Sequence, residues 1–285
     1  RRLRATADAI TIDDLGTRLR ARGNDEISDL TTSVNSMLDR LAMSVDAQRQ
    51  LLDDVRHELK TPITIVRGHL EMMDPADPHD VAETRDLGIA ELDRLSRLVD
   101  DIDALADIET GSLSDAVIDV GALTDRVAEL AGAIAGHTWS VERRARARIR
   151  GDADRLVQAW LQLADNAAKY TPEGSPIEIG SSVDDGTAHL WVRDHGPGIP
   201  PAARHRVFRR FDRLSTRRGV EGSGLGLSIV DAIAKAHDGH CAVVDTPGGG
   251  ATVVLHIPVA GAQSPAELPT PVRAGDVVMQ REATG

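Results

Sequence analysis

An imidazole, a carboxylate and a hydroxyl occur together in one short stretch of this chain. His57 is followed at once by Glu58, and Thr61 comes four residues after the histidine, directly before Pro62. On a helix Thr61 would share the face of His57 one turn away, with Glu58 about 100° around the axis. The pattern predicts a histidine nucleophile with a base beside it, and Pro62 predicts a bend in the helix within one turn.

A second stretch combines a carboxamide and an ammonium group. Asn166 and Lys169 are three residues apart in a segment that we predict to be helical, so the two side chains point the same way. A carboxamide oxygen suits Mg²⁺ and a lysine suits a phosphate, although the same pair also fits an ordinary solvated helix.

Two glycine-rich stretches complete the set. The segment Asp194–Pro200 follows a predicted strand; its glycines let the backbone approach a ligand, and Asp194 offers a carboxylate to an exocyclic amine. The segment Gly222–Ser228 opens a predicted helix, whose first N–H groups can bind phosphate. Neither matches a P-loop or a dinucleotide fingerprint, because no Gly-Lys-Ser/Thr and no suitable βαβ unit are present.

The histidine motif lies on a long segment with helical periodicity, predicted to be a helix over about 41–73. A proline-marked turn at 74–80 leads to a second helix over about 81–108. The apolar positions are Leu51, Leu52, Val55, Leu59, Ile63, Val66 and Leu70 in the first helix, and Leu92, Leu95, Val99 and Ile102 in the second. A two-helix hairpin cannot bury both stripes alone, so we predict a four-helix bundle of two copies, with a monomeric hairpin packed on the rest of the chain as the alternative.

From about residue 112 the pattern changes to short helices and strands, which predicts an α+β layer. Helices are predicted at 123–135, 152–170 and 224–237, and strands at 139–149, 177–183, 188–194, 241–245 and 251–258. A hairpin is expected about Asp184-Asp185-Gly186. Residues 261–285 have the composition of a disordered tail.

Composition excludes several classes of protein. The net charge of −12 argues against general nucleic-acid binding, so we expect no nucleic-acid partner. The single cysteine, Cys241, excludes an internal disulfide and a cysteine-based zinc site, and fits a reducing, cytosolic setting. No apolar run approaches the ~20 residues needed to cross a bilayer.

In this order, the motifs resemble those of a bacterial sensor histidine kinase of a two-component system, over residues 25–258. Residues 25–38 resemble the second half of a HAMP linker, with Ser28 and Val34 where that family favours glycine and phenylalanine. The resemblance implies a partial HAMP linker and signalling helix at 1–46, a dimerisation and phosphotransfer domain at 47–111, an ATP-binding domain at 112–260 and a tail at 261–285. We therefore expect the cytoplasmic portion of a cell-membrane protein, with a transmembrane segment and a sensor domain before Arg1.

The implied fold is an antiparallel helical hairpin that dimerises into a four-helix bundle, followed by an α/β sandwich shared with gyrase and Hsp90-type ATPases. His57 would accept the γ-phosphoryl group of ATP and pass it to an aspartate of a response regulator, with Glu58 as base. Thr61 matches the position that places water for dephosphorylation of the regulator, and Asn166 would coordinate Mg²⁺. Asp194 would bind the adenine amine and Arg213 the γ-phosphate. The expected nucleotide-binding residues are Asn166, Lys169, Tyr170, Asp194, Gly196, Gly198, Arg213, Gly222, Gly224, Gly226 and Leu227.

Two other functions remain open at this point. One is a protein that mainly dephosphorylates its response regulator, favoured by Thr61 and by Gln162, which stands where relatives usually carry asparagine. The other is a non-catalytic dimeric signalling scaffold, against which the intact Glu58, Asn166 and Asp194 argue. Transfer within one chain and transfer across the dimer both fit the sequence.

Overall fold

The computed structural model describes residues 26–111, 113–212, 223–246 and 248–259. The predicted tail, Arg213, Gly222 and the first half of the expected HAMP region lie outside these residues. The described elements are, in order, helices α1 (Glu26–Met72) and α2 (Pro78–Thr110), strand β1 (Ala116–Asp119), helix α3 (Val120–Ala131), strands β2 (Thr138–Arg143) and β3 (Arg148–Gly151), helix α4 (Ala153–Tyr170), strands β4 (Pro176–Asp184) and β5 (Thr187–Arg193), a 3₁₀ turn (Pro201–Ala203), helix α5 (Gly226–Ala236), and strands β6 (His240–Val244) and β7 (Thr252–Pro258).

The chain forms two compact units. One contains the described parts of residues 1–110 and 205–229, and the other the described parts of 111–204 and 230–285.

Helix α1 is one uninterrupted helix of 47 residues. The periodicity predicted a helix over about 41–73, and the resemblance implied a signalling helix within 1–46; the structure joins the described parts of both. Pro62 lies buried inside α1 and does not end it. The predicted bend at this proline stays a prediction. Among the described helices none is both long and apolar enough to cross a membrane.

The connection between α1 and α2 is held by aspartates. The Asp77 carboxylate accepts a hydrogen bond from the backbone N–H of His79, at 2.9 Å, as an N-cap residue does. Pro78 follows as the first helical residue, a position where its missing N–H costs nothing. Asp80 accepts from the N–H of Asp74 at 2.5 Å, which closes the turn. The predicted helical hairpin is confirmed.

The α/β unit is built on a five-stranded sheet in the order β2-β4-β5-β7-β6. Only the β2–β4 pair is parallel. Strand β5 alternates regularly, with Ala188, Leu190 and Val192 buried and the residues between them half-buried. The α4 residue Trp160 is fully buried and donates its indole N–H to the carbonyl of Trp191, 3.1 Å away. This ties α4 to the middle of the sheet.

The predicted strand at 139–149 is wrong as a single element. It is two strands in two sheets: β2 joins the five-stranded sheet, and β3 pairs with β1, a strand that the sequence did not reveal. Between the two strands Ala145 is buried, and its N–H donates to the buried Ser181 hydroxyl at 2.9 Å. The sequence did not predict this break between two strands, because arginines recur through the whole stretch.

The predicted hairpin between β4 and β5 is confirmed. Asp185 and Gly186 have φ values of 46° and 71°, so both central residues of the turn adopt the left-handed conformation. Such turns match the right-handed twist of the flanking strands, and Gly186 adopts this conformation without steric cost.

Candidate functional site

His57 lies on the exposed surface of α1. The Thr61 hydroxyl donates to the carbonyl oxygen of His57, at 3.4 Å, so the two residues share a face one turn apart as predicted. An exposed imidazole on a helix is accessible to large ligands and to protein partners, so the position of His57 is compatible with the predicted role as acceptor.

The Glu58 carboxylate is directed toward α2. It lies 3.6 Å from the guanidinium of Arg94, which also lies 3.7 Å from the carboxylate of Glu91. Within the described residues no hydrogen bond joins the side chains of Glu58 and His57. The sequence analysis missed Arg94, because a contact between two helices leaves no local signal.

In the α/β unit, Asp194 is a buried carboxylate at the end of β5, with 6% of its surface exposed. Its Oδ1 atom accepts hydrogen bonds from the N–H groups of Gly196 (2.8 Å) and Ala251 (3.0 Å). Burial raises the pKa of Asp194 above its usual range, and these two N–H groups oppose the shift. Because both hydrogen bonds go to Oδ1, the other oxygen can accept a hydrogen bond from a ligand amine.

The glycines around Asp194 are required by close backbone contacts. A Cβ on Gly196 would lie 2.6 Å from the carbonyl oxygen of Tyr170, and one on Gly198 would lie 2.7 Å from that of Gly250. A Cβ on Gly250 would lie 1.9 Å from the carbonyl oxygen of Asp194. The predicted residues Asp194, Gly196 and Gly198 and the backbone of Tyr170, which was also predicted, are thus brought together. We call this group, with Gly250, the Asp194 cradle.

Gly250 is a site residue that sequence reasoning missed. It ends the run Gly248-Gly249-Gly250, whose φ values are 89°, 98° and 92°. A side chain rarely adopts this conformation, so three successive glycines were a signal that the chain turns sharply here. Nothing local showed that the turn would close on Asp194.

Helix α4 ends beside this cradle at Tyr170 and carries Asn166 and Lys169. Asn166 is half-buried. The Lys169 ammonium is paired with the Asp165 carboxylate one turn earlier. A phosphate contact by Lys169 would therefore require exchange of this ion pair.

The second glycine stretch enters helix α5. Gly224 has φ 75°, and its carbonyl oxygen accepts from the N–H of Phe211 at 3.0 Å. Gly226 and Leu227 are the first residues of α5. The Ser223 hydroxyl accepts from the N–H of Leu225 (3.1 Å) and donates to the α2 residue Asp101 (2.5 Å). The predicted opening of a helix by these glycines is confirmed; their contact with phosphate stays a prediction.

The residues present fit a nucleotide with a metal ion carried largely by the phosphates. Within the described residues no group of three or more His, Cys, Asp or Glu side chains could hold a metal. Mg²⁺ commonly takes one or two protein oxygens and completes its shell with phosphates and water, so a site with Asn166 as its protein ligand would fit the ion. The cradle around Asp194 fits a flat base with an exocyclic amine.

A separate cleft of about 640 Å³ lies elsewhere in the α/β unit. Its lining residues include Asp119, Asp125, Arg144 and Arg148, and none of the predicted site residues. This cleft is therefore separate from the candidate nucleotide site.

Known families match three successive parts of the chain. Residues 151–261 match the histidine kinase-, DNA gyrase B- and HSP90-like ATPase family, residues 47–111 the His Kinase A (phospho-acceptor) domain, and residues 1–43 the HAMP domain. The ATPase match covers the Asp194 cradle, and the phospho-acceptor match covers His57. A phospho-acceptor hairpin joined to an ATP-binding α/β domain defines the class of ATP-using histidine kinases. The chain belongs to the sensor histidine kinases of two-component systems.

Individual relatives agree with this family. The signal transduction histidine-protein kinase/phosphatase MprB of Mycolicibacterium vanbaalenii is 36% identical over 263 residues, which is 86% of this chain and 53% of that protein. The chain spans about half the length of the curated relatives it matches.

Two solved structures are similar in fold and sequence. The Acinetobacter baumannii histidine kinase AdeS is 26% identical, with a TM-score of 0.54 over 72% of this chain and 98% of that one. The full-length ShkA structure in complex with AMPPNP is 30% identical, with a TM-score of 0.51 over 77% of this chain and 47% of that one.

Proposed function

We propose that this chain is the kinase region of a sensor that autophosphorylates His57 from ATP and passes the phosphoryl group to an aspartate of a response regulator. The observation that carries the proposal is the presence, in one chain, of an exposed histidine on a phospho-acceptor helix and of a buried aspartate in a glycine-lined ATPase cradle. Membership of the histidine kinase family supports it further.

In this reaction His57 is the one protein residue that forms a covalent bond. A ring nitrogen of His57 forms a bond to the γ-phosphorus as the bond to the β-phosphate oxygen breaks, and ADP leaves. Glu58 accepts the proton that the imidazole loses. Phosphoryl transfer depends mainly on positioning and charge neutralisation, so the essential part of the second domain is to hold the nucleotide.

Within the nucleotide site we assign the adenine amine to Asp194 and Mg²⁺ to Asn166. Lys169, Tyr170 and Arg213 bind the nucleotide, Arg213 at the γ-phosphate. The glycines 196, 198, 222, 224 and 226, together with Leu227, shape its binding surface. The AMPPNP bound to ShkA supports the choice of an adenine nucleotide.

We also propose that the chain acts as a homodimer. Several large apolar side chains of the hairpin are exposed in the single chain, among them Leu52, Ile63, Leu70, Leu92 and Val99. An exposed apolar stripe on both helices of a hairpin favours pairing with a second copy. The HAMP match supports a position on the cytoplasmic side of a membrane, joined to a transmembrane segment.

Labelling with γ-labelled ATP and Mg²⁺ tests the proposal. We expect His57→Gln to abolish the label and His69→Gln, an exposed histidine on the same helix, to retain it. Label that persists in His57→Gln, with binding of ATP intact, would show that another residue is the acceptor.

Dephosphorylation of the regulator is a second candidate activity, favoured by the hydroxyl of Thr61 on the His57 face. We expect Thr61→Ala to slow loss of phosphate from the regulator while autophosphorylation continues. Thr64→Ala is the matched control, because its hydroxyl makes the same type of bond one turn back, to the carbonyl of Lys60. Equal effects of the two variants would remove the special role of Thr61.

A further inference from the structure

We propose that Arg94 is a positioning residue that withholds the Glu58 carboxylate from His57. The proposal rests on the proposed function, because it takes Glu58 as the base that serves His57. Arg94 lies on α2 and its guanidinium is 3.6 Å from the Glu58 carboxylate on α1. The base is thus paired across the hairpin.

Arg94 is fixed in place by a second carboxylate. Its other terminal nitrogen lies 3.7 Å from Oε2 of Glu91, three residues earlier on α2. That oxygen is buried and has no hydrogen-bond partner within the described residues. A buried carboxylate oxygen left without a cation or a hydrogen bond is costly, so the contact with Glu91 favours keeping Arg94 beside its own helix. Glu58 is the more exposed of the two carboxylates, at 33% against 20% for Glu91, so its contact with Arg94 is the one that we expect to open first.

The carboxylate of Glu58 has two competing uses. It can pair with Arg94, as the structure shows, or it can accept a proton from His57, about 100° around α1. The structure contains the first arrangement: the carboxylate contacts α2, and within the described residues it makes no hydrogen bond to His57. Assistance to His57 therefore begins with separation of Glu58 from Arg94.

The size of the effect follows from the exposure of the pair. About a fifth of the Arg94 side chain and a third of the Glu58 side chain are accessible, at 22% and 33%. Ion pairs that water still reaches contribute up to about 1 kcal/mol, equivalent to about a fivefold change in an equilibrium. Arg94 thus favours the state in which Glu58 is paired with Arg94 and away from His57, but it does not prevent the reaction.

The kinetic test uses the paired variant Arg94→Gln/Glu91→Gln, which removes the cation and its buried partner together. We expect the initial rate of His57 labelling to rise by up to about fivefold, with the KM for ATP unchanged. Arg94→Lys keeps the charge and should stay near the wild-type rate. Arg85→Gln is the control and should change nothing, because Arg85 lies on the exposed surface of the same helix and, among the described residues, pairs only with its neighbour Asp86.

A second measurement does not depend on turnover. The ring nitrogen chemical shifts of ¹⁵N-labelled His57, assigned with His57→Gln, report whether a carboxylate contacts the imidazole. We expect these shifts to differ from wild type in the paired variant. They should match wild type when Glu58→Gln is added to the paired variant, and also in the single variant Arg94→Lys.

The outcomes separate the proposal from the function on which it rests. No label on wild-type His57 would refute the proposed function, and the ring shifts would still decide whether Arg94 restrains Glu58. A lower labelling rate in the paired variant would overturn the proposal. So would a change in the His57 shifts that survives Glu58→Gln, because Arg94 would then act by another route.

Discussion

The helical hairpin and the α/β unit differ in how far their large apolar side chains are buried. Most of the large apolar side chains that stay exposed within the described residues lie on α1 and α2, whereas those of the sheet and of α3–α5 are mainly buried. Most of the largest fully buried side chains, such as Trp160, Leu190 and Ile233, belong to the α/β fold, and Leu105 of α2 is the exception in the hairpin. Aliphatic burial stabilises the α/β unit within one chain, and the hairpin needs a further surface. We therefore expect mutations in the hairpin to act on assembly and mutations in the α/β unit to act on ligand binding and stability.

The largest effect should come from charges on the apolar stripe of α1. Leu52 and Leu70 are 62% and 56% exposed in the single chain. Burial of one leucine contributes roughly 1.5–3 kcal/mol, so Leu52→Lys/Leu70→Lys should weaken a dimer by a hundredfold or more. Sedimentation velocity across a range of concentrations measures this.

Val117→Lys is the matched control, because Val117 is 59% exposed on β1. It should leave association unchanged. If the α1 variant dimerises as well as wild type, the exposed stripe is not the interface, and the contrast between the two regions fails.

The next effect concerns the nucleotide. Asp194→Asn keeps the size of the side chain and removes its charge, which weakens an acceptor aimed at the adenine amine. A hydrogen bond to a charged group contributes about 1.5–3 kcal/mol, so ATP binding should weaken by about 10- to 100-fold with dimerisation unchanged.

Calorimetric titration measures this change in affinity. Asp185→Asn, in the exposed turn between β4 and β5, is the control and should bind like wild type. Unchanged affinity in Asp194→Asn would remove Asp194 from the site.

Substitutions at Gly248 and Gly250 distinguish the cost of a steric clash from the cost of a positive φ. Gly248 and Gly250 have nearly the same φ, 89° and 92°, but a Cβ on Gly248 meets no atom within 4 Å. Gly250→Ala should therefore lower the free energy of unfolding by more than Gly248→Ala, with a difference of about 1–3 kcal/mol. Urea unfolding of both variants gives the two values, and equal losses would show that the contact with Asp194 imposes no constraint.

The smallest effect is a dependence of stability on pH that arises in the α/β unit. Burial first, then His240 and His189, lowers the pKa of His256 to about 4. The imidazole of His189 is 2.8 Å from that of His256, and the ring of His240 stacks on it at 4.4 Å. Between about pH 6.5 and 4 the unfolded chain takes up a proton that folded His256 does not, so stability is complete above about 6.5 and falls as the pH falls.

His256→Asn should reduce this loss, seen as a smaller drop in Tm between pH 7.5 and pH 5 than in wild type. The control is His69→Asn, an exposed position on α1. The same drop in all three proteins would assign the pH dependence to other groups.

Most of the correct predictions from the sequence came from the spacing of neighbouring residues. The helical repeat placed Thr61 on the face of His57, and Asp185-Gly186 fixed the turn of the β4–β5 hairpin, because each depends only on neighbouring residues. Contacts between distant segments could not be predicted in this way. The pairing of Arg94 with Glu58, the approach of Gly250 to Asp194 and the split between β2 and β3 all depend on which segments meet after folding.

The central claim is that the two regions supply the two halves of one phosphoryl transfer, and a comparison of α-labelled with γ-labelled ATP tests it most directly. Wild-type protein should take up label from the γ position only, and the label should be lost in acid and kept in alkali, as a phosphorus–nitrogen bond to His57 requires. Incorporation from the α position, or a label that survives acid, would contradict transfer of the γ-phosphoryl group to a histidine.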